Sequence, residues 1–339
     1  MLNVNAHKNF TVCDDKEAEE LLGKVLLEIG DTLSGTPLCV YLGGSYGRGD
    51  GGVRQDKNNG ILYNDLDFFV FARKRYCDAA SLLKEIAEKY EKELKIDVDF
   101  SKVMSVNDIK NNATRLMMQE LKRGYHRVCG EDLLEKYLPE IPAEKLPYSE
   151  ACRLLLNRGM GLLLAGEKIT GNSTEIDFIL RNLNKAILGA CDAFLIAEKK
   201  YKWSITGRLA EINNSELSVE CKKLYTRAVE FKKSPNRDVV PDLNSYWIAV
   251  RDIFRECMEH ICGNNCSEIY LPCRQSGEIS LKNLIKYCIK SRRVPVTELK
   301  NHTLPAVAVI LPQLYSALKK MPEKIDLKSK LYQHWLMFN

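Results

Sequence analysis

The chain has 339 residues, which is long enough for two domains. Hydrophobic residues make up 45% of it and charged residues 28%, as in ordinary globular proteins, and no run of about 18 apolar residues predicts a membrane span. The net charge of +5 neither indicates nor excludes a nucleic-acid partner. The first residues, "MLNVNAHKNF", lack the basic start and apolar core of a secretion signal, so we expect a cytoplasmic protein whose twelve cysteines are reduced.

The first third of the chain predicts alternating helices and strands. Apolar residues follow one helical stripe in 15–30, and "LCVYL" at 38–42 predicts a short buried strand. A glycine-rich run, "YLGGSYGRGDGG" (41–52), begins within this strand. The segment "ILYNDLDFFVFA" (61–72) predicts a second strand, and because it is apolar on both faces we expect it to be central in a sheet.

The elements that follow continue the same mixed pattern. Residues 79–93 have helical periodicity, and "LKIDVDFSKV" (94–103) alternates between apolar and polar residues, which predicts a third strand. We expect a further helix at 107–124. Three prolines within 135–148 then indicate a linker.

The second half predicts helices alone. Their predicted ranges are 148–169, 176–201, 219–234, 242–261 and 304–321. These helices are too apolar to stand alone, so they must pack together or against the first domain. The sequence therefore predicts an α+β domain with a mixed sheet at 1–138 and an all-α helical bundle at 149–339.

Acidic pairs occupy two of the predicted strands. In "YNDLDFF", Asp65 and Asp67 are two residues apart, so their side chains point to the same face of a strand. In "KIDVDF", Asp97 and Asp99 repeat this spacing. Carboxylates held close together raise each other's pKa unless a cation compensates, and oxygen ligands suit Mg²⁺ or Mn²⁺. If the two strands are neighbours, a third carboxylate joins the first pair.

The glycine-rich run supplies groups that bind phosphate. Glycines let backbone N–H groups approach phosphate oxygens without a Cβ in the way, and the Ser45 hydroxyl adds one donor. Alone, this run is more typical of a turn. Beside two pairs of carboxylates, it indicates a site for two metal ions and a triphosphate.

This arrangement resembles the nucleotidyltransferase superfamily of DNA polymerase β, in the form of small bacterial nucleotidyltransferases with a helical C-terminal domain. The shared features are an apolar strand, Gly44-Ser45, Asp65-Leu66-Asp67 on a second strand and Asp97 on a later one. The segment "YHRVCGEDLL" (125–134) also resembles a turn that follows the catalytic domain in that family. The resemblance covers roughly residues 15–135.

The resemblance implies an enzyme that transfers a nucleoside monophosphate from an NTP, ATP first, to an acceptor hydroxyl and releases pyrophosphate. Asp65, Asp67 and Asp97 would be the catalytic, metal-binding residues, while Gly43, Gly44, Ser45 and Arg48 would bind the nucleotide. We expect a small-molecule acceptor such as a sugar or antibiotic. The resemblance also implies that the helical domain at 149–339 binds the acceptor, because helical substrate-binding domains are common in this superfamily. A protein acceptor for AMP, an oligonucleotide product, and an NTP sensor without turnover remain alternatives.

Some choices stay open at this level. "KIDV" resembles the family's third-carboxylate strand, which favours Asp97 over Asp99, and Arg48 either binds triphosphate or lies in solvent. The gap between Ser45 and Asp65 is longer than is usual in the family, so we interpret "GGVRQDKNNGI" (51–61) as a loop insertion. Base preference and oligomeric state are not predicted.

A cysteine-rich segment lies in the second half. "ECMEHICGNNCSEIYLPC" contains Cys257, His260, Cys262, Cys266 and Cys273, a density that suggests structural zinc. No C-x-x-C pair is present, so buried thiols are the favoured interpretation. The segment "YKWSITGR" (201–208) predicts a loop that either stacks a base or packs between helices, and we favour packing.

Overall fold

A computed structural model of the chain describes residues 9–54, 61–73, 76, 78–235, 242–263, 306–319, 331–332 and 335. The chain divides into two compact units. The first comprises Met1–Pro142 and Glu230–Asn236, and the second comprises Ala143–Val229 and Arg237–Asn339. The division falls within the proline-bearing segment 135–148, and residues 230–236 belong with the first unit although the second unit continues on both sides of them in the chain.

The first unit is α+β. Its described elements, in chain order, are α1 (Lys16–Thr32), β1 (Leu38–Leu42), α2 (Gly44–Gly47), β2 (Leu66–Ala72), α3 (Ala79–Leu94), β3 (Val98–Phe100), β4 (Met104–Ser105), α4 (Val106–Asn111), α5 (Leu116–Arg123), β5 (His126–Cys129) and α6 (Leu133–Tyr137). The sheet order is β3-β2-β1-β5, with β4 also paired to β2. Strand β1 is antiparallel to β2 and β5, whereas β3 and β4 are parallel to β2. The sheet is therefore mixed, and β2 is interior, as its apolar composition predicts.

Alternate residues of the strands build two cores, one on each face of the sheet. On one face, Val40, Phe68 and Val98 pack with buried residues of α1 and α3. On the other face, Tyr41 and Phe71 pack with buried residues of α4, α5 and α6. The period of two along each strand thus assigns every side chain to one core or the other.

Several predicted boundaries were wrong. The second strand begins at Leu66 rather than 61, and the third strand is Val98–Phe100 because α3 continues to Leu94 and Lys95 ends it in the left-handed conformation, at φ 56°. The predicted helix at 107–124 is two helices, α4 and α5. Strand β5 was not predicted: the segment interpreted as a family turn begins with an edge strand against β1.

In the described part of the second unit, every regular element is a helix. These are a 3₁₀ turn (Ala143–Lys145), α7 (Tyr148–Thr170), α8 (Ile176–Ala197), α9 (Ile205–Asn213), α10 (Val219–Lys233, whose last turn belongs with the first unit), α11 (Leu243–Cys262) and α12 (Ala306–Lys319). The start of α9 corrects the prediction of a loop through residue 208, because the Ser204 side chain caps the helix by accepting from Gly207 N–H.

Helix α8 is the centre of the second unit and packs against α7 and α11. Helices α7 and α11 approach closely where α7 has a glycine, because a Cβ at Gly166 would lie 2.7 Å from Nε1 of Trp247 on α11. That indole N–H donates to the carbonyl of Leu162 at 2.9 Å, so a polar bond crosses this apolar contact. Within the described residues, none of the helices has the length and apolar character needed to span a membrane.

Candidate active site

The glycine-rich run and both acidic pairs meet at one end of the sheet. Gly43 N–H donates to the carbonyl of Asp67 at 2.8 Å, which joins the end of β1 to the start of β2. Leu66 N–H donates to the carbonyl of Asp97 at 2.9 Å, which joins β2 to the segment entering β3. The three chain segments that carry the candidate residues are therefore direct neighbours.

The four acidic residues of β2 and β3 share one face. Asp67 is the register partner of Asp99 in the parallel pair, so their side chains point the same way. Asp65 and Asp97, two residues earlier on each segment, follow the same alternation. Asp65 and Asp67 are half-buried, while Asp97 and Asp99 are exposed. The intervening apolar residues occupy the opposite face and the core.

Gly44 provides the backbone against which the Asp67 carboxylate lies. Its φ is +61°, a conformation that favours glycine. A Cβ at this position would lie 2.1 Å from Oδ2 of Asp67, far inside a normal contact. A side chain at Gly44 would therefore adopt a strained backbone angle and would displace the Asp67 carboxylate.

The carboxylates share a face but are not drawn together. Among the described residues, the single group of three acidic, histidine or cysteine ligand atoms within 4.8 Å of one another is formed by cysteines elsewhere in the chain. Asp65, Asp67 and Asp97 thus lie on the same surface without three oxygens at metal-bridging distance.

Tyr46 is a positioning residue that sequence reasoning missed. Its buried hydroxyl donates to the carbonyl of Gly52 at 2.9 Å and accepts from the N–H groups of Tyr63 at 2.9 Å and Asn64 at 3.2 Å. Burial raises the pKa of Tyr46 well above its ordinary value, so the hydroxyl keeps its proton. These bonds fix the chain immediately before Asp65. A tyrosine between glycines gives no sequence signal of this role.

The segment between Ser45 and Asp65, which contains the predicted loop insertion, includes a short antiparallel pairing. Val53 pairs with Leu62, and Arg54 N–H donates to the carbonyl of Ile61 at 2.7 Å. Residues 55–60 of the predicted insertion lie outside the described residues. The insertion therefore returns the chain to β2 at a defined place, so the extra length does not displace Asp65.

The other candidate nucleotide-binding groups have partners inside the first unit. The N–H of Gly43 is used by the sheet, so the N–H groups at the start of α2, from Gly44 and Ser45, remain the candidates for phosphate binding in this run. Arg48 forms ion pairs with Glu120 at 3.4 Å and Asp50 at 3.7 Å. Lys232 also contacts Asp50, at 3.3 Å. Arg48 is thus tied to α5 at this edge rather than lying in solvent.

The described members of the proposed zinc set do not come together. His260 Nε2 pairs with Glu198 at 3.0 Å, and its ring packs on Phe194. Cys257 lies instead beside two cysteines from other helices, Cys191 and Cys221. Cys266 and Cys273 lie outside the described residues, and Cys262 is buried.

The segment 201–208 packs, as favoured from the sequence. Arg208 is 6% exposed, and its guanidinium donates to Tyr201 Oη at 3.1 Å and to the carbonyls of Lys202 and Trp203 at 3.0 Å. Arg208 Nε lies 3.1 Å from Asp192 in an ion pair. This network anchors the start of α9 to α8, so Arg208 has a structural role.

Comparison of the sequence with protein-family models gives no match, and comparison with curated proteins gives none either. The argument for function therefore depends on the residues and their placement.

Proposed function

We propose that the first unit is a nucleotidyltransferase domain of the DNA polymerase β type, which transfers a nucleoside monophosphate from an NTP to an acceptor hydroxyl and releases pyrophosphate. One observation carries the proposal: the Asp67 carboxylate lies against Gly44, beside Ser45, on the face that Asp65, Asp97 and Asp99 share. Asp65 and Asp67 are both half-buried, a setting in which a carboxylate is favoured by a group of opposite charge such as a bound cation.

The donor set suits a hard divalent cation. Asp65 and Asp67 would hold it, with Asp97 or Asp99 as the third carboxylate, and Mg²⁺ or Mn²⁺ takes such oxygen ligands. When bound, it would neutralise phosphate charge and lower the pKa of the attacking hydroxyl. The carboxylates share one face, so the proposal requires their side chains to rotate toward one another when a cation binds.

The chain's own groups have separate tasks in this proposal. Gly44 and Ser45 offer backbone N–H groups, and Ser45 its hydroxyl, to the β- and γ-phosphates of the NTP. Tyr46 holds the chain that enters β2 and thereby positions Asp65. The third carboxylate is placed to accept the acceptor's proton. Asp99 pairs in register with Asp67 and Asp97 lies level with Asp65, so both remain candidates for that task.

The possible acceptors are ranked by their chemical class. A small hydroxylated molecule, such as a sugar or antibiotic, comes first. A protein hydroxyl that receives AMP is second and an oligonucleotide is third, because the net charge of +5 gives no strong basic surface. The non-catalytic alternative is a sensor that binds NTP without turning it over.

The test is pyrophosphate release from each NTP, with Mg²⁺ or Mn²⁺ and panels of sugars, aminoglycosides and proteins. Asp65→Asn and Asp67→Asn remove charge at nearly constant volume and should abolish release. Asp31→Asn, an exposed carboxylate at the end of α1, is the matched control and should leave release unchanged.

The same experiment separates the alternatives. Comparison of Asp97→Asn with Asp99→Asn identifies the third carboxylate, since only one of them should reduce release as strongly as Asp67→Asn. Tight NTP binding without pyrophosphate release for every acceptor would replace the enzyme with the sensor. Release that survives Asp67→Asn would contradict the proposed site altogether.

A further inference from the structure

Three cysteines from three different helices meet in the interior of the helical unit. They are Cys191 on α8, Cys221 on α10 and Cys257 on α11. Their sulfur atoms all lie within 4.8 Å of one another, and the Cys191 and Cys221 sulfurs are 3.5 Å apart. Each of the three residues is 0% exposed. The fold thus brings together in the interior three cysteines whose separations along the chain are 30 and 36 positions.

Apolar residues are buried near the three cysteines along their helices. Neighbouring positions on the same helices, Ala190, Phe194 and Phe254, are at most 1% exposed. Among the described residues, neither a histidine nor a carboxylate joins the three ligand atoms. The donor set is therefore sulfur alone, which disfavours hard cations such as Mg²⁺ and Ca²⁺.

The spacing of the sulfurs suits a shared metal ion. Metal–sulfur bonds of about 2.3 Å place two tetrahedral ligands roughly 3.8 Å apart, and trigonal ligands roughly 4.0 Å apart. Both values lie between the 3.5 Å separation of the Cys191 and Cys221 sulfurs and the 4.8 Å within which all three sulfurs lie. Small rotations of the side chains are then sufficient for three bonds to one ion.

We propose that Cys191, Cys221 and Cys257 form a three-coordinate site for a monovalent soft metal ion, Cu(I). Thiolates select Cu(I), zinc and iron–sulfur clusters. Structural zinc is almost always held by four ligands, and iron–sulfur clusters need more thiolates and more space. Three buried sulfurs with no fourth protein ligand in the described chain match the lower coordination number of Cu(I).

Binding of Cu(I) exchanges thiol protons for metal at the three sulfurs. On binding, Cu–S bonds form as S–H protons leave for solvent, and copper stays in the +1 state, so no electron donor or acceptor is needed.

The test is anaerobic titration of the reduced full-length protein with Cu(I) in competition with a chromogenic Cu(I) chelator. We expect one ion per chain to be retained, X-ray absorption to report three sulfur ligands at about 2.3 Å, and the melting temperature to rise with Cu(I). Zn(II) titrated in the same way should be held less tightly.

The variants are Cys191→Ser, Cys221→Ser and Cys257→Ser, each expected to lose the ion to the chelator. Cys152→Ser is the matched control, since Cys152 is equally buried but lies on α7 outside the cluster. If a serine variant fails to fold, mass spectrometry of the wild type, alkylated during denaturation with and without Cu(I), should show protection at these three cysteines.

Three results would overturn the proposal. The first is a wild-type protein that yields all its Cu(I) to the chelator. The second is retention that the cluster variants share with Cys152→Ser, or alkylation that Cu(I) does not change. The third is a preference for Zn(II) over Cu(I).

Discussion

Gly44→Ala tests whether the carboxylate of Asp67 must lie where it does. The substitution has two consequences, because an alanine at φ +61° is strained and its Cβ would be 2.1 Å from Asp67 Oδ2. A normal contact is about 3.5 Å, so the carboxylate must move by about 1.4 Å. Misplacement of a reacting group by about 1 Å can cost about 100-fold in rate.

Gly35→Ala is the control that separates these consequences. Gly35 has φ +81°, and a Cβ there would meet nothing within 4 Å. Left-handed strain of about 1–2 kcal/mol is common to both variants. We therefore expect both to lose stability by about that amount, whereas Gly44→Ala alone should lose about 100-fold in metal-dependent pyrophosphate release.

The assay measures urea unfolding and pyrophosphate release for both variants beside the wild type. Equal activity in Gly44→Ala and Gly35→Ala would refute the reasoning, because it would mean that displacement of Asp67 does not matter to the reaction. An equal loss of activity in both would assign the effect to strain in the fold.

Three further predictions concern buried polar groups. Tyr46→Phe removes a hydroxyl that satisfies two N–H groups, so the free energy of unfolding should fall by about 1–3 kcal/mol in urea titrations. Arg208→Met leaves Asp192 without its ion-pair partner and should cost about 3–5 kcal/mol; a loss below 1 kcal/mol would contradict the anchoring role. Burial raises the pKa of Cys129 to about 11, so the folded state retains a proton that the unfolded state loses first. Stability should fall as pH rises from about 9 to about 11, and Cys129→Ala should reduce that fall.

The sequence was sufficient to predict strand bounds and side-chain faces where these depend on residues that are near in the chain. The strand Leu38–Leu42 has the predicted bounds because five apolar residues stand between turns. The alternation around Asp65 and Asp97 predicts which side chains share a face, and the parallel register of β2 and β3 agrees with it. Sequence periodicity assigns faces well because one face of each strand must be buried.

Elements that depend on tertiary contacts were missed. Strand β5 has four residues and is held by pairing with β1, so its own sequence carries a weak signal. The break between α4 and α5 lies within the segment "NNATR" (111–115). Helix α4 begins at a capping box of Ser105 and Asp108, a signal that is readable in the sequence.

The two tyrosines of "YLGGSYGRGDGG" show what a motif conceals. Tyr41 Oη donates to the carbonyl of Glu131 at 2.6 Å and accepts from Leu133 N–H at 2.7 Å, so it secures the turn after β5. Tyr46 secures the chain before Asp65 in the same manner. The glycines between them are the proposed phosphate-binding residues, and the tyrosines on either side hold segments that are distant in the chain against this run.

The cysteine cluster marks the limit of the same reasoning. A search for metal sites in sequence relies on short spacings such as C-x-x-C, and it selected Cys257, His260 and Cys262 because they are close in the chain. Cys257 instead meets Cys191 and Cys221, whose spacing gives no signal because three separate helices supply the ligands. Such sites become visible when helix packing is known, since only the packing decides which buried faces meet.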